Sequence, residues 1–157
     1  MKILLVALLA VAATIASAET YIDANIGANT TWSTLGLNAN AGYMFNPYIG
    51  AEGGFTYSFG GTANSAYGSY YMFDAAAKGV LPLSSIFSLY GKLGVGYNTY
   101  SAWGCSNCGN VNSNVGLLVG AGAQFNLSKN WSLHVEDYTV TGSGNPNMLM
   151  AGGQFTF

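Results

Sequence analysis

The sequence predicts an all-β protein: an eight-stranded antiparallel up-and-down transmembrane β-barrel preceded by a cleavable signal peptide. Three observations lead there. Only 6% of the 157 residues are charged while 50% are hydrophobic, against roughly 25% charged in a typical soluble domain. Apolar and polar side chains alternate with a period of two through most of the chain, as in strands with two unlike faces. The last ten residues, Met148 to Phe157, keep that alternation and stop on a phenylalanine. A closing strand of this kind needs a partner strand and an apolar medium outside it, and a closed barrel in a bilayer supplies both.

The start of the chain reads as a targeting segment. Lys2 supplies the positive charge, Ile3 to Ile15 the apolar core, and Ala16-Ser17-Ala18 the small-x-small cleavage pattern. The apolar core holds 13 residues, fewer than the roughly 20 a spanning helix needs. Cleavage is expected after Ala18, giving residues 1–18 as signal peptide and 19–157 as the barrel domain. The remainder carries Lys78, Lys92 and Lys129 against six acids. With no strongly basic patch, nucleic acid is not an expected partner.

The strands follow in order. Tyr21 to Thr30 sets Ile22, Ala24, Ile26 and Ala28 against Asp23, Asn25, Gly27 and Asn29. Leu35 to Phe45 sets Leu37, Ala39, Ala41, Tyr43 and Phe45 against Asn38, Asn40 and Gly42, and Asn46-Pro47 ends it, since proline cannot continue a ladder. Tyr48 to Phe59 places Glu52, Gly54, Thr56 and Ser58 on its polar face. Residues 60–69 form a loop without a charge. Tyr70 to Leu81 places Asp74, Ala76 and Lys78 opposite Tyr71, Phe73, Ala75, Ala77 and Leu81.

Residues 82–86 make the next turn. Phe87 to about Ala102 sets Phe87, Leu89, Leu93, Val95 and Tyr97 against Ser88, Tyr90, Lys92, Gly94, Gly96 and Asn98. A loop over 103–113 holds both cysteines. Asn114 to Leu127 alternates Val115, Leu117, Val119, Ala121, Ala123 and Phe125 with glycines, Gln124 and Asn126, and residues 128–130 form a short turn. Trp131 to Thr141 sets Trp131, Leu133 and Val135 against Ser132, His134 and Glu136. The same alternation puts Asp137 on the apolar side, which a bulge or a place at the water interface would explain. The closing strand follows the loop over 142–147.

Turns are short after strands two, four and six and generally longer after the odd strands, the asymmetry of outer-membrane barrels. Alternation alone does not decide whether the apolar face looks in or out. The scarcity of charge decides for lipid, because a soluble barrel needs a charged exterior. Aromatic residues also fall at the strand ends. Phe45, Tyr48, Phe87, Phe125, Trp131, Phe155 and Phe157 lie toward the short turns, and Trp32, Phe59, Tyr70, Tyr100, Trp103 and Tyr138 toward the long loops. Two such girdles mark the membrane interfaces.

Several stretches resemble the OmpA-like outer-membrane β-barrel family: residues 42–50 (GYMFNPYIG), 78–83 (KGVLPL), 90–97 (YGKLGVGY), 120–136, and the ending 154–157 (QFTF). The resemblance runs over the whole chain after the signal segment. It implies an eight-stranded barrel of the outer membrane, exported through the periplasm, with Phe155 and Phe157 in the place that the barrel-insertion machinery recognises. OmpA itself carries a peptidoglycan-binding domain after its barrel. This chain ends at the barrel, so anchoring to the cell wall is not expected.

The chemistry the sequence offers lies on the inward face: Asp23, Glu52, Asp74, Lys78, Lys92, His134 and Glu136. Eight strands leave an interior that side chains can fill, and charges buried there must be paired. An ion-pair and hydrogen-bond network plugging the barrel is expected. A gated narrow pore, with Lys92 or Lys78 switching acidic partners, is the alternative. Ser132, His134 and Glu136 share a face and invite comparison with lipid-modifying hydrolases. Same-face neighbours on a strand lie roughly 6.5–7 Å apart, beyond relay distance, so no catalytic residue is expected.

Cys105 and Cys108 can make a redox pair, half a zinc site or a small disulfide. With no second ligand pair and an exported chain, a disulfide staple is expected; no metal or cofactor is. The expected protein is a monomeric outer-membrane barrel with a structural, envelope-integrity role, in contact with outer-membrane lipid and lipopolysaccharide. A surface adhesin or ligand-binding barrel is a further alternative. Tyr70, Tyr71 and Trp103 are the first candidates for such a surface.

Overall fold

A computed structural model describes residues 18–59, 67–103, 112–142 and 145–157. Eight strands form: β1 (Glu19–Asn29), β2 (Thr34–Asn46), β3 (Ile49–Phe59), β4 (Tyr67–Pro82), β5 (Phe87–Trp103), β6 (Asn112–Asn126), β7 (Trp131–Val140) and β8 (Asn147–Thr156). Each pairs antiparallel with its neighbours in sequence, and β1 pairs with β8 to close the barrel. The signal segment up to Ser17, both cysteines and most of the second and third long loops lie outside the described residues. Strand limits differ from the sequence expectation by up to three residues. The largest change is at β4, which starts at Tyr67, so residues 67–69 are strand rather than loop.

The register gives the barrel its stagger. Passing from partner to partner, Glu19 meets Met44, then Gly50, Lys78, Lys92, Gly120, Tyr138 and Met148, and Met148 pairs with Asn29. One circuit therefore climbs from Glu19 to Asn29 on β1, a shear of ten residues. An eight-stranded barrel of this kind encloses a space that side chains can fill. The stagger also decides which inward side chains meet, because facing walls are offset along their strands.

The turns are built by side-chain oxygens replacing backbone acceptors. Asn46 Oδ1 accepts from the amides of Tyr48 and Ile49 at 2.8 and 2.9 Å. Ser84 Oγ does the same for Ile86 and Phe87, and Ser128 Oγ for Asn130 and Trp131. Asn and Ser favour this local bonding, which is why these sequences turn.

The outer face is apolar. Leu93, Val95, Leu37, Ile26 and Val135 are each about half exposed, as lipid-facing side chains are when no lipid is counted. On the short-turn side Phe87 packs against Phe125 at 4.8 Å, and Trp131 meets Phe155 edge-on at 5.0 Å as Phe155 meets Phe157 at 5.1 Å, an interfacial girdle. The loop-side girdle needs correction. Tyr70 and Tyr138 are 3% and 4% exposed and point into the barrel; Tyr138 hydrogen-bonds Thr56 at 2.8 Å. Parity was the stronger signal: both fall on the polar side of their strands. The outward aromatics on that side are Phe55, Tyr57, Phe59, Tyr71 and Phe73, in contact across β3 and β4.

Candidate functional site

The lumen is arranged in layers. Toward the short turns lies a cavity of about 620 Å³, lined by Asn46, Ser88, Gln124, Ser132 and Gln154 among others, with Lys78 and Tyr21 at its inner end. Beyond it lies a layer of charged side chains. Lys92 reaches Glu52 and Glu136 on opposite walls, at 2.5 Å each. Lys78, its direct cross-strand partner, lies 3.6 Å from Glu52 and 3.5 Å from Gln154 Oε1.

Two tyrosines complete this layer. The Tyr21 hydroxyl donates to Glu52 at 2.6 Å and the Tyr90 hydroxyl to Glu136 at 3.1 Å. Lys78 Nζ sits 4.5 Å from the centre of each ring, a cation–π arrangement in a desolvated place. The layer is nearly two-fold: β1 and β5 supply the tyrosines, and β3 and β7 the glutamates. Each tyrosine leans over a glycine opposite it in register, Gly42 for Tyr21 and Gly122 for Tyr90. A Cβ at either glycine would overlap the ring. Buried charges are tolerable here because each is paired and hydrogen-bonded.

Above this layer Asp23 accepts from Asn25 and Asn40 at 2.7 and 2.8 Å, and Asn38 links Asn25, Asn40 and Thr56. Beside and above it lies an apolar cluster of Met72, Leu118, Val140, Met148 and Met150, with Tyr70 and Tyr138. At the mouth Trp32 packs on Tyr70 and Tyr100 at 5.4 and 5.5 Å. An ion layer and a methionine-rich layer thus cross the interior.

Of the seven inward groups expected from sequence, the structure joins Glu52, Lys78, Lys92 and Glu136 in one chain of contacts. Asp23 belongs to the amide network, and His134 packs edge-on against Tyr90 at 6.2 Å. Asp74 lies on the inner face between Gly54 and Gly96, with no ion pair among the described residues. Among the described residues Ser132, His134 and Glu136 make no relay: Ser132 accepts from Gln124, Glu136 is held by Lys92 and Tyr90, and His134 Nδ1 has no hydrogen-bond partner. Sequence reasoning missed the tyrosine pair and the apolar layer. Their signals were a tyrosine facing glycine and methionines on the polar parity.

With this geometry in place, comparison with known proteins decides the family. The model described as "Outer membrane protein beta-barrel domain" matches residues 3–156. The chain belongs to the outer-membrane β-barrel family. Solved structures share its fold. The N-terminal barrel of Pseudomonas aeruginosa OprF superposes with a TM-score of 0.70 at 14% identity, covering 88% of this chain and 97% of that one. Neisserial surface protein A gives 0.70 at 16%, covering 89% and 97%. Ail, the attachment invasion locus protein of Yersinia pestis, gives 0.64 at 22%, also covering 89% and 97%. No match was found among curated proteins.

Proposed function

We propose that this outer-membrane barrel acts as a closed structural element of the envelope, holding its place in the lipid and presenting four loops outside. The observation that carries this is the double seal: Lys92 clamped between Glu52 and Glu136, and the methionine layer above it. A path for solute would have to break both. On this reading residues 1–18 direct export to the periplasm of a bacterial cell, and Phe155 and Phe157 present the insertion machinery with its signal. The barrel resides as a monomer among outer-membrane lipid and lipopolysaccharide, without a nucleic-acid partner. It performs no enzymatic reaction, and Cys105 and Cys108 staple the third long loop. Liposome swelling with small sugars tests the seal: protein-loaded vesicles should swell no faster than empty ones, and rapid swelling would overturn it. Envelope leakage of a periplasmic marker in a deletion strain tests the structural role.

A surface-binding role is the second reading, favoured by the fold shared with Ail, which has also been solved in complex with the heparin analogue sucrose octasulfate. The ligand class would differ here. The four loops after β1, β3, β5 and β7 contain no lysine or arginine, so a polyanion has nothing to pair with. Neutral glycans or apolar protein surfaces are the probes to use, with loop residues 60–66 or 104–111 replaced by Gly/Ser as the control.

A further inference from the structure

The lipid-facing wall is not of even height. On β2 to β6, six successive outward positions carry apolar, aromatic or glycine residues: Phe45 to Leu35 on β2, Phe125 to Val115 on β6, and likewise on β3, β4 and β5. On β7 there are three, Trp131, Leu133 and Val135; then comes Asp137, and after it Thr139. Asp137 is exposed on the outer face, paired in register with Ala121 of β6 and Leu149 of β8. The pairing runs through without a bulge, so of the two resolutions expected from sequence the bulge does not apply and a place at the water interface is left. On neighbouring β8 the outward run also stops short, at Leu149, with Asn147 next.

All these strands start level with the same aromatic girdle, so β7 leaves the apolar belt six residues early. At roughly 3.3 Å per residue and a tilt of about 40° this is a step of about 15 Å, more than half of a hydrophobic band about 25 Å tall. Nothing among the described residues relieves it. Asp137 has no partner among the described residues, and beyond residue 18 the lysines are Lys78 and Lys92 in the lumen and Lys129 in a turn at the other end. A second copy would therefore bring no cation to the site.

We propose that the β7–β8 wall is a docking notch for the polar layer of the outer leaflet: lipid headgroups and their water sink along this wall to Asp137, Thr139 and Asn147, and the bilayer is locally thinned there. The occupant follows from the shape of the step. An isolated carboxylate in an otherwise full-height wall would ask for one cationic partner group. Here the polar positions run on upward from Asp137 to the loop and extend to the next strand, the outline of a lowered interface. A carboxylate on a barrel's lipid face is costly in proportion to its depth, and thinning brings the surface to the group.

The test is equilibrium unfolding of the purified, refolded protein in vesicles of pure dilauroyl or pure dioleoyl phosphatidylcholine. Asp137→Leu should leave the unfolding equilibrium within about threefold in the thin bilayer and shift it about tenfold or more toward the folded state in the thick one. Ala39→Asp, the fourth outward position from the girdle on full-height β2 as Asp137 is on β7, should favour unfolding in both. An Asp137→Leu effect of the same size in both bilayers, or none in either, overturns the proposal. So does a wild-type chain that becomes dimeric in vesicles and loses the dimer on Asp137→Leu, since the notch would then receive protein.

Discussion

Replacing Lys92 with methionine removes the cation that two buried carboxylates share. Glu52 and Glu136 are 5% and 2% exposed, and Lys92 is 7% exposed. Taking one partner from a buried ion pair costs about 3–5 kcal/mol, because the other is left charged and dry. The two glutamates are not equally bereft. Glu52 keeps Lys78 at 3.6 Å and the Tyr21 hydroxyl; among the described residues Glu136 keeps the Tyr90 hydroxyl alone. The loss should therefore lie near the lower end, about 3 kcal/mol, or roughly a hundredfold in the folded-to-unfolded ratio. Urea unfolding in vesicles, followed by far-ultraviolet circular dichroism, measures it. Adding Glu136→Gln to Lys92→Met should recover at least about half of the loss, whereas adding Glu52→Gln should recover less. A Lys92→Met loss below about 1 kcal/mol, or better rescue by Glu52→Gln, would refute this account of the ion layer.

Other expectations concern different parts of the wall and the lumen. Gly122→Val puts a branched side chain into the space of the Tyr90 ring and should destabilise by about 1–3 kcal/mol or more, read in the same unfolding assay. Met150→Ala, at a side chain 1% exposed in the apolar layer, should cost about 2–5 kcal/mol, with the smaller value if the layer collapses. Leu93→Arg, on the lipid face near mid-height, should cost about 2–4 kcal/mol in vesicles, while Lys129→Ala in the turn should stay within about 0.5 kcal/mol. Mass spectrometry of the unreduced protein should find Cys105 and Cys108 two hydrogens light, as a bridge requires; free thiols on both would exclude it.

The strands were legible because one physical rule, apolar outward and polar inward, repeats along nearly every one of them. Leu89, Leu93 and Val95 alternating with Lys92, Gly94 and Gly96 leave little choice of face. Partners inside the lumen were harder. Lys78 and Lys92 look equivalent in the sequence, yet only the register and the ten-residue stagger decide that Lys92 spans the two glutamates. Tyr70 and Tyr138 show where two rules conflicted: proximity to a strand end pointed to a girdle, and parity pointed inward. Parity prevailed, since turning a side chain over would require a bulge that neither strand has. The methionine layer was hidden for a related reason. Met72, Met148 and Met150 sit at inward positions where a polar lining was expected, and nothing local says that the upper lumen is dry.

Single-channel recording in planar bilayers tests the sealed lumen most directly, with wild type beside the Lys92→Met variant. A barrel closed by both layers should give a flat baseline for wild type, and the variant should stay silent too while the methionine layer remains. Reproducible discrete conductance steps from wild type would contradict the account, because ions would then be passing where Lys92 and its two glutamates are held in contact.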